Sequence, residues 1–137
     1  MPRYRVSEAA ALLGVSDDTV RRNIDAGHLP SQRDESNRLV IDGVALAEFA
    51  RSTARTAPDP SPIESSARNR FVGLVTAVER DRVMAQVEIQ CGPHRVVSLM
   101  STEAVDELEL APGSLAVAVV KATTVMVETP AAARTPG

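Results

Sequence analysis

Residues 56–65, TAPDPSPIES, hold three prolines, Pro58, Pro60 and Pro62, and show no amphipathic period. Proline fixes φ and removes a backbone donor, so such a stretch runs extended and semi-rigid and reads as a linker. In a chain of 137 residues this divides the sequence in two. Residues 1–55 and 66–128 must each build a core, and the tail 129–137, TPAAARTPG, is predicted to be disordered. Aromatic residues are only 2% and tryptophan is absent. The cores are therefore Val, Leu, Ile and Ala, and small modules of that kind often gain stability by oligomerising.

The same composition removes several classes. A single cysteine, Cys91, excludes an intrachain disulfide and a cysteine zinc cluster. No apolar run approaches the roughly 20 residues a membrane span needs, and MPRYRVSEAA is not a signal peptide. A cytoplasmic protein with no membrane partner is expected. There is no nucleophile–histidine–acid set, so no enzyme is expected, and His28 and His94 fall in separate modules, leaving no metal-cation cluster. Net charge is −3, and residues 1–55 balance eight arginines against eight acids. Any binding to nucleic acid must come from local placement of arginines.

The first half reads as mostly helical. Ser7 before EAAALLG predicts a capped helix stopped by Gly14. Ser16 is a second cap, with Asp17 and Asp18 in the first turn, where the helix dipole favours acids. Val20 and Ile24 form the buried stripe and Gly27 ends the element. The short GVS turn between two helices is a helix-turn-helix signature. Pro30, a polar tip and the apolar LVI then predict a β-hairpin. Asp42 caps a third helix through about Arg51, with Ile41 and Leu46 as a hydrophobic staple.

YRVSEAAALLGVSDDTVRRNIDAGHLP, closed by VIDGVALAEF, resembles the excisionase and MerR-type winged-helix DNA-binding domains. The resemblance implies that helix 17–26 enters a major groove of double-stranded DNA and that the hairpin meets the backbone or minor groove. By position it implies Thr19, Arg21, Arg22 and Asn23 on the helix, and Arg33, Asn37 and Arg38 on the wing. A second reading fits the same residues. Asp18 with Arg22, and Arg21 with Asp25, are four apart and suit a solvated ion-pair face.

The second half reads as β-rich. RFVGLVTAVER, RVMAQVEIQ, RVVSLM, SLAVAVVKA and TVMVE are predicted strands, with a tight connection at 79–82, a CGPH turn, and a short helix in STEAVDELELAPG. Five short strands with one helical crossing suggest a small OB-like β-barrel. The fold class expected is α+β, a winged helix-turn-helix module followed by that barrel.

SARNRFVGLV, SLMSTEAVDELELAPG and VVKATTVMV resemble the Mop/TOBE domain of molybdate-binding proteins from about Ser66 to Glu128. The resemblance implies an oxyanion ligand, molybdate or tungstate, held between subunits, with no catalytic cofactor. Ser66, Ala67, Arg68, Asn69, Lys121, Ala122 and Thr123 would form one wall, and Ser101 would come from a partner copy. The chemistry is reasonable in its own terms. A tetrahedral dianion gives up its hydration shell only to converging N–H groups, hydroxyls and one or two cations. SARN and KAT each offer a cation, a hydroxyl and small residues that let the backbone approach. Taken singly, each residue has a plain alternative: Ser101 as a helix cap, Lys121 as a solvated strand end, Arg68 paired with Glu64.

The combination looks like a molybdate-responsive transcription factor with a single Mop unit. Small storage proteins of this family, the molbindins, also carry one unit and assemble as hexamers. A homo-oligomer is expected, either a dimer or a trimer of dimers. The alternative is a molbindin-like buffer whose helix-turn-helix module serves assembly or protein interaction.

Overall fold

The computed structural model describes residues 2–55, 57–61 and 66–130. The predicted tail lies mostly outside those residues, as does part of the predicted linker. Contacts divide the chain into two compact units, Met1–Arg55 and Thr56–Gly137.

The first unit opens with a short strand, β1 (Arg3–Arg5), which runs directly into helix α1 (Val6–Leu13). The expected cap at Ser7 is displaced. Arg5 is the N-cap, and its backbone N–H donates to Glu8 Oε1 at 3.0 Å. The reason is tertiary: β1 is held extended by pairing with β3 (Leu39–Asp42), so the helix starts as soon as that pairing ends. Gly14, at φ 71°, stops α1, and Val15 N–H donates back to the Ala10 carbonyl. Helix α2 (Asp17–Asp25) begins at Ser16, whose hydroxyl accepts from Thr19 N–H at 3.1 Å.

Beyond α2, β2 (Gln32–Arg33) and β3 form the hairpin, and β1 completes a three-stranded sheet in the order β1-β3-β2. The β1 strand is absent from the sequence reading. Helix α3 (Gly43–Thr53) is capped by Asp42, which accepts from the Val44 and Ala45 amides. The core is Val6, Ala9, Ala10, Val20, Leu29, Ile41 and Leu46, with Ile24 half-buried against it. Val20, Leu29 and Ile41 are fully enclosed, each worth about 1.5–3 kcal/mol of burial.

The second unit is a curled antiparallel sheet in the order β6-β5-β4-β7. Strand β4 (Asn69–Arg80) spans two pairings. Its first half runs against β7 (Leu115–Val120) and its second half against β5 (Met84–Cys91). The changeover is marked by a bulge between Val75 and Ala77, which bends the strand and lets one element serve both partners. Gly73 sits at this crossing. A Cβ there would lie 2.3 Å from the Gln90 carbonyl oxygen and 2.8 Å from Cys91 Sγ, so only glycine lets β4 approach β5 this closely. Strand β6 (His94–Ser101) pairs with β5 along its whole length, and helix α4 (Thr102–Glu107) drops Val105 into the core of Val75, Ala85, Val87, Ile89 and Cys91.

Among the described residues, four strands form where five were expected. TVMVE does not return to the sheet. A 3₁₀ turn at Ala122–Thr124 follows β7, and Val125–Glu128 is exposed and unpaired. The alternation that suggested a strand is present, but no edge within the unit receives it. The OB-like class stands; the closing strand is missing from the unit.

Candidate functional site

The register of β4 against β7 sets the geometry of the predicted anion wall. Asn69 lies opposite Val120, and its Nδ2 donates to the Val120 carbonyl at 3.2 Å. SARN therefore runs into the sheet beside KAT running out of it. Ala67 is buried, while Ser66, Arg68, Lys121, Ala122 and Thr123 are exposed. Arg68 donates through Nη1 to the Ser66 carbonyl at 3.2 Å, which folds the guanidinium over its own segment. Its sequence-suggested partner, Glu64, lies outside the described residues.

Lys121 is the N-cap of the 3₁₀ turn, and its carbonyl accepts from both the amide and the hydroxyl of Thr124. The first amides of a helical turn have no partner within it, so Ala122 and Thr123 N–H start the turn as available donors. Among the described residues, no hydrogen bond or ion pair engages the Lys121 ammonium or the Thr123 hydroxyl. Two cations, a free hydroxyl and turn amides are the donor set a tetrahedral dianion requires.

Ser101 is elsewhere. It is the N-cap of α4, accepting from Ala104 N–H at 3.1 Å, and pairs with Met84 at the outer end of β5. Strands β6 and β7 are opposite edges of the sheet. Asn69 and Arg80 mark the two ends of β4, which covers about 35 Å if fully extended. Ser101 belongs to the Arg80 end and the wall to the Asn69 end, so one chain does not bring them together.

On α2, the solvated ion-pair reading describes part of the face. Arg22 Nε lies 3.7 Å from Asp18 Oδ2, and its Nη2 donates to Thr19 Oγ1 at 3.3 Å. Thr19 Oγ1 also shares a hydrogen bond with Ser16 Oγ. Asn23 is committed twice, donating to the Thr19 carbonyl at 2.9 Å and contacting His28 Nδ1 at 3.4 Å. Arg21 is exposed and, among the described residues, makes no side-chain bond; the Arg21–Asp25 pair does not form.

On the wing, Arg33 donates to the Asn37 carbonyl, and Asn37 closes the turn at φ 59°. Asp34 accepts from the Arg38 and Ser36 amides, and the Arg38 amide does most to hold its carboxyl below the usual range. The Arg38 guanidinium makes no ion pair among the described residues. Strand β1, unforeseen, adds Arg3, whose guanidinium lies 3.6 Å from Glu35 at the wing tip.

A second unforeseen feature lies in the predicted linker. Arg70 Nε donates to Asp59 Oδ2 at 2.7 Å, and Ser61 N–H donates to Asp59 Oδ1 at 2.8 Å. The Arg70 hydrogen bond, then the Ser61 amide, lower the Asp59 pKa to about 2. Pro60, Ser61 and Arg70 border an open groove of about 640 Å³ lined by Leu115, Val119 and Met100. Composition marked Asp59, Pro60 and Ser61 only as connecting chain, and Arg70 only as the start of a strand. Among the described residues, no cluster of histidine, cysteine or acids could hold a metal cation, and no helix is long and apolar enough to cross a membrane.

Comparison with known proteins matches a TOBE domain over residues 65–127 and a helix-turn-helix domain over residues 3–54. The chain is 32% identical over 122 residues to a molybdenum transport protein, ModE, from Herbaspirillum seropedicae, covering 88% of this chain and 40% of that protein. It thus spans about two fifths of that relative's length. A probable molybdenum-pterin-binding protein from Haemophilus influenzae is 46% identical over 63 residues, which are 45% of this chain and 91% of the relative. Among solved structures, the cytoplasmic molybdate-binding protein ModG, in a form with molybdate bound, aligns with a TM-score of 0.50 at 38% identity. That alignment covers 53% of this chain and 52% of ModG.

Proposed function

This chain belongs to the TOBE-domain family of molybdenum-pterin-binding proteins, carrying a helix-turn-helix domain ahead of the TOBE domain, and from that premise we propose that it is a molybdate- or tungstate-responsive DNA-binding regulator. The observation that carries the proposal is the Asn69–Val120 register, which sets the SARN and KAT segments side by side. Ser66, Ala67, Arg68, Asn69, Lys121, Ala122 and Thr123 hold the oxyanion. Arg68 and Lys121 balance its two charges, while hydroxyls and turn amides replace its hydration shell. The division of labour follows the sequence: 1–55 for DNA, 56–65 as connection, 66–128 for the anion and 129–137 as tail.

The site is completed by Ser101 of a second copy, because within one chain Ser101 sits at the opposite sheet edge. A homo-oligomer is further supported by the unpaired, apolar Val125–Val127 and by the open groove beside β7. The cytoplasm, where the name of the ModG relative puts that protein, is the compartment proposed here too. Anion binding at a junction between copies alters how paired recognition helices meet operator half-sites, and linkage makes the effect reciprocal: DNA must change molybdate affinity by the same factor. Arg21 and Arg38, the two arginines of that predicted set whose guanidinia have no partner among the described residues, lead the DNA contacts, with Thr19, Arg22, Asn23, Arg33 and Asn37 beside them.

Calorimetric titration with molybdate, tungstate and sulfate is the test. Molybdate and tungstate bind and sulfate binds far more weakly; Arg68→Ala and Lys121→Ala each weaken the first two. Equal weak binding of all three anions overturns the reading. A storage role is the second reading, favoured by Thr19, Arg22 and Asn23 being engaged within their own helix. A mobility shift on DNA upstream of the chain's own operon separates them. A shift that changes with molybdate and is lost in Arg21→Ala/Arg22→Ala supports regulation, and no shift under any condition supports storage.

A further inference from the structure

Of the ion pairs among the described residues, Asp59–Arg70 is the one in which neither side chain is more than a third exposed, at 32% and 24%. The other pairs each have a partner at least 58% exposed. It is also the pair that joins the proline-rich segment to the sheet. Asp59 is held at both oxygens, by Arg70 Nε and by the Ser61 amide, so the turn at 59–61 is fixed as well as its anchor point. Arg70 follows Asn69 directly on β4. Asn69 pairs with Val120 and Arg70 with Val119, so one register sets both the anion wall and the anchor.

We propose that residues 57–61 form a strap latched to β4 by Asp59 and Arg70, so that the chain leading to the helix-turn-helix unit moves with the anion wall and not as a free tether. A tether of this length would let the helical unit reorient without reference to the anion, which would blunt coupling. Latching removes that freedom. A displacement of the Asn69–Arg70 segment on anion binding is then carried into the connecting chain through one charge-assisted hydrogen bond. The strap's prolines resist taking up the motion by bending.

The transmission role rests on the proposed oxyanion-regulator reading; the latch itself does not. The experiment uses the full chain and Asp59→Ala, with hydrogen exchange at the Ser61 amide and molybdate-dependent DNA affinity as readouts. Asp59 is outside the anion wall, so molybdate affinity stays within about two-fold of the parent, inside the usual scatter of a surface change. The Ser61 amide exchanges several-fold more slowly in the parent than in Asp59→Ala. The factor by which molybdate changes DNA affinity, of order 5- to 150-fold for typical coupled sites, falls towards one in the variant. Equal Ser61 exchange in the parent and in Arg70→Ala, which removes the latch and leaves Asp59 as the acceptor for Ser61, overturns the latch. A slow amide in the parent with unchanged coupling in the variant overturns the transmission. If neither chain binds molybdate, the regulator reading fails and transmission with it, while the amide still decides the latch.

Discussion

Among the described residues, the helical unit leaves three large apolar side chains exposed, Leu12, Val15 and Val44, whereas the sheet unit leaves twelve, from Phe71 to Val127. The difference is one of closure. Unit one wraps a three-stranded sheet and three helices around Ile41 and Leu29 and finishes its own core. Unit two has one short helix for a four-stranded sheet, two open edges and an apolar groove. Exposed apolar surface on that scale marks an interaction face. The contrast teaches that the two halves meet their needs differently: one closes its own core, and the other leaves the apolar face that the proposed second copy would cover.

The largest effect tests that contrast directly. Leu115, 59% exposed at the start of β7, faces no core of its own chain. Leu115→Asp converts the oligomer to monomers in sedimentation velocity; a parent chain that already sediments as a monomer at micromolar concentration breaks the comparison. Next, Ile41→Ala removes a fully buried side chain from the closed core and costs about 2–5 kcal/mol. Its unfolding transition moves while that of the sheet unit stays, which calorimetry resolves. Gly73→Ala pushes a methyl into the Gln90 carbonyl and costs about 1–3 kcal/mol, this time in the sheet unit alone.

Asp42→Ala deletes the cap of α3 and costs about 1 kcal/mol in the helical unit, read from urea melts. The smallest effect is acidic. Asp59 falls from its ordinary 3.8 to about 2 in the fold, so its contribution is complete above pH ~4 and is lost as pH falls through about 2. The protection of the Ser61 amide, relative to an unstructured amide at the same pH, is lost over that window and not above it.

Legibility in the sequence followed the range of the interaction responsible. Gly14, Ser16 and Asp42 act on residues two to four positions away, and all three function as read. Ser7 was misread because the start of α1 depends on β1 pairing with β3, more than thirty residues distant. TVMVE carries a strand's alternation, but a strand also needs a neighbouring edge, and the pattern cannot say which chain supplies it. SARN and KAT were paired through the resemblance to the Mop/TOBE domain, and the register of Asn69 against Val120 sets the two segments beside each other. The engagement of Asn23 with Thr19 and His28 was not legible, since a helical asparagine reads alike whether its amide faces solvent or its own backbone. Asp59 and Arg70 escaped for a similar reason: nothing local joins a proline-rich connection to a strand residue eleven positions on.

The crossing at Gly73 has a practical side. The chain's one thiol, Cys91, is buried over that glycine with Sγ 3.6 Å from the Phe71 carbonyl, and burial pushes its pKa up. Closed, the sulfur is buried and its ionisation is disfavoured, so a disulfide reagent reacts faster when β4 parts from β5. The rate of labelling therefore counts those partings. Every copy of the protein carries a native clock for the breathing of its sheet, with no engineered label needed.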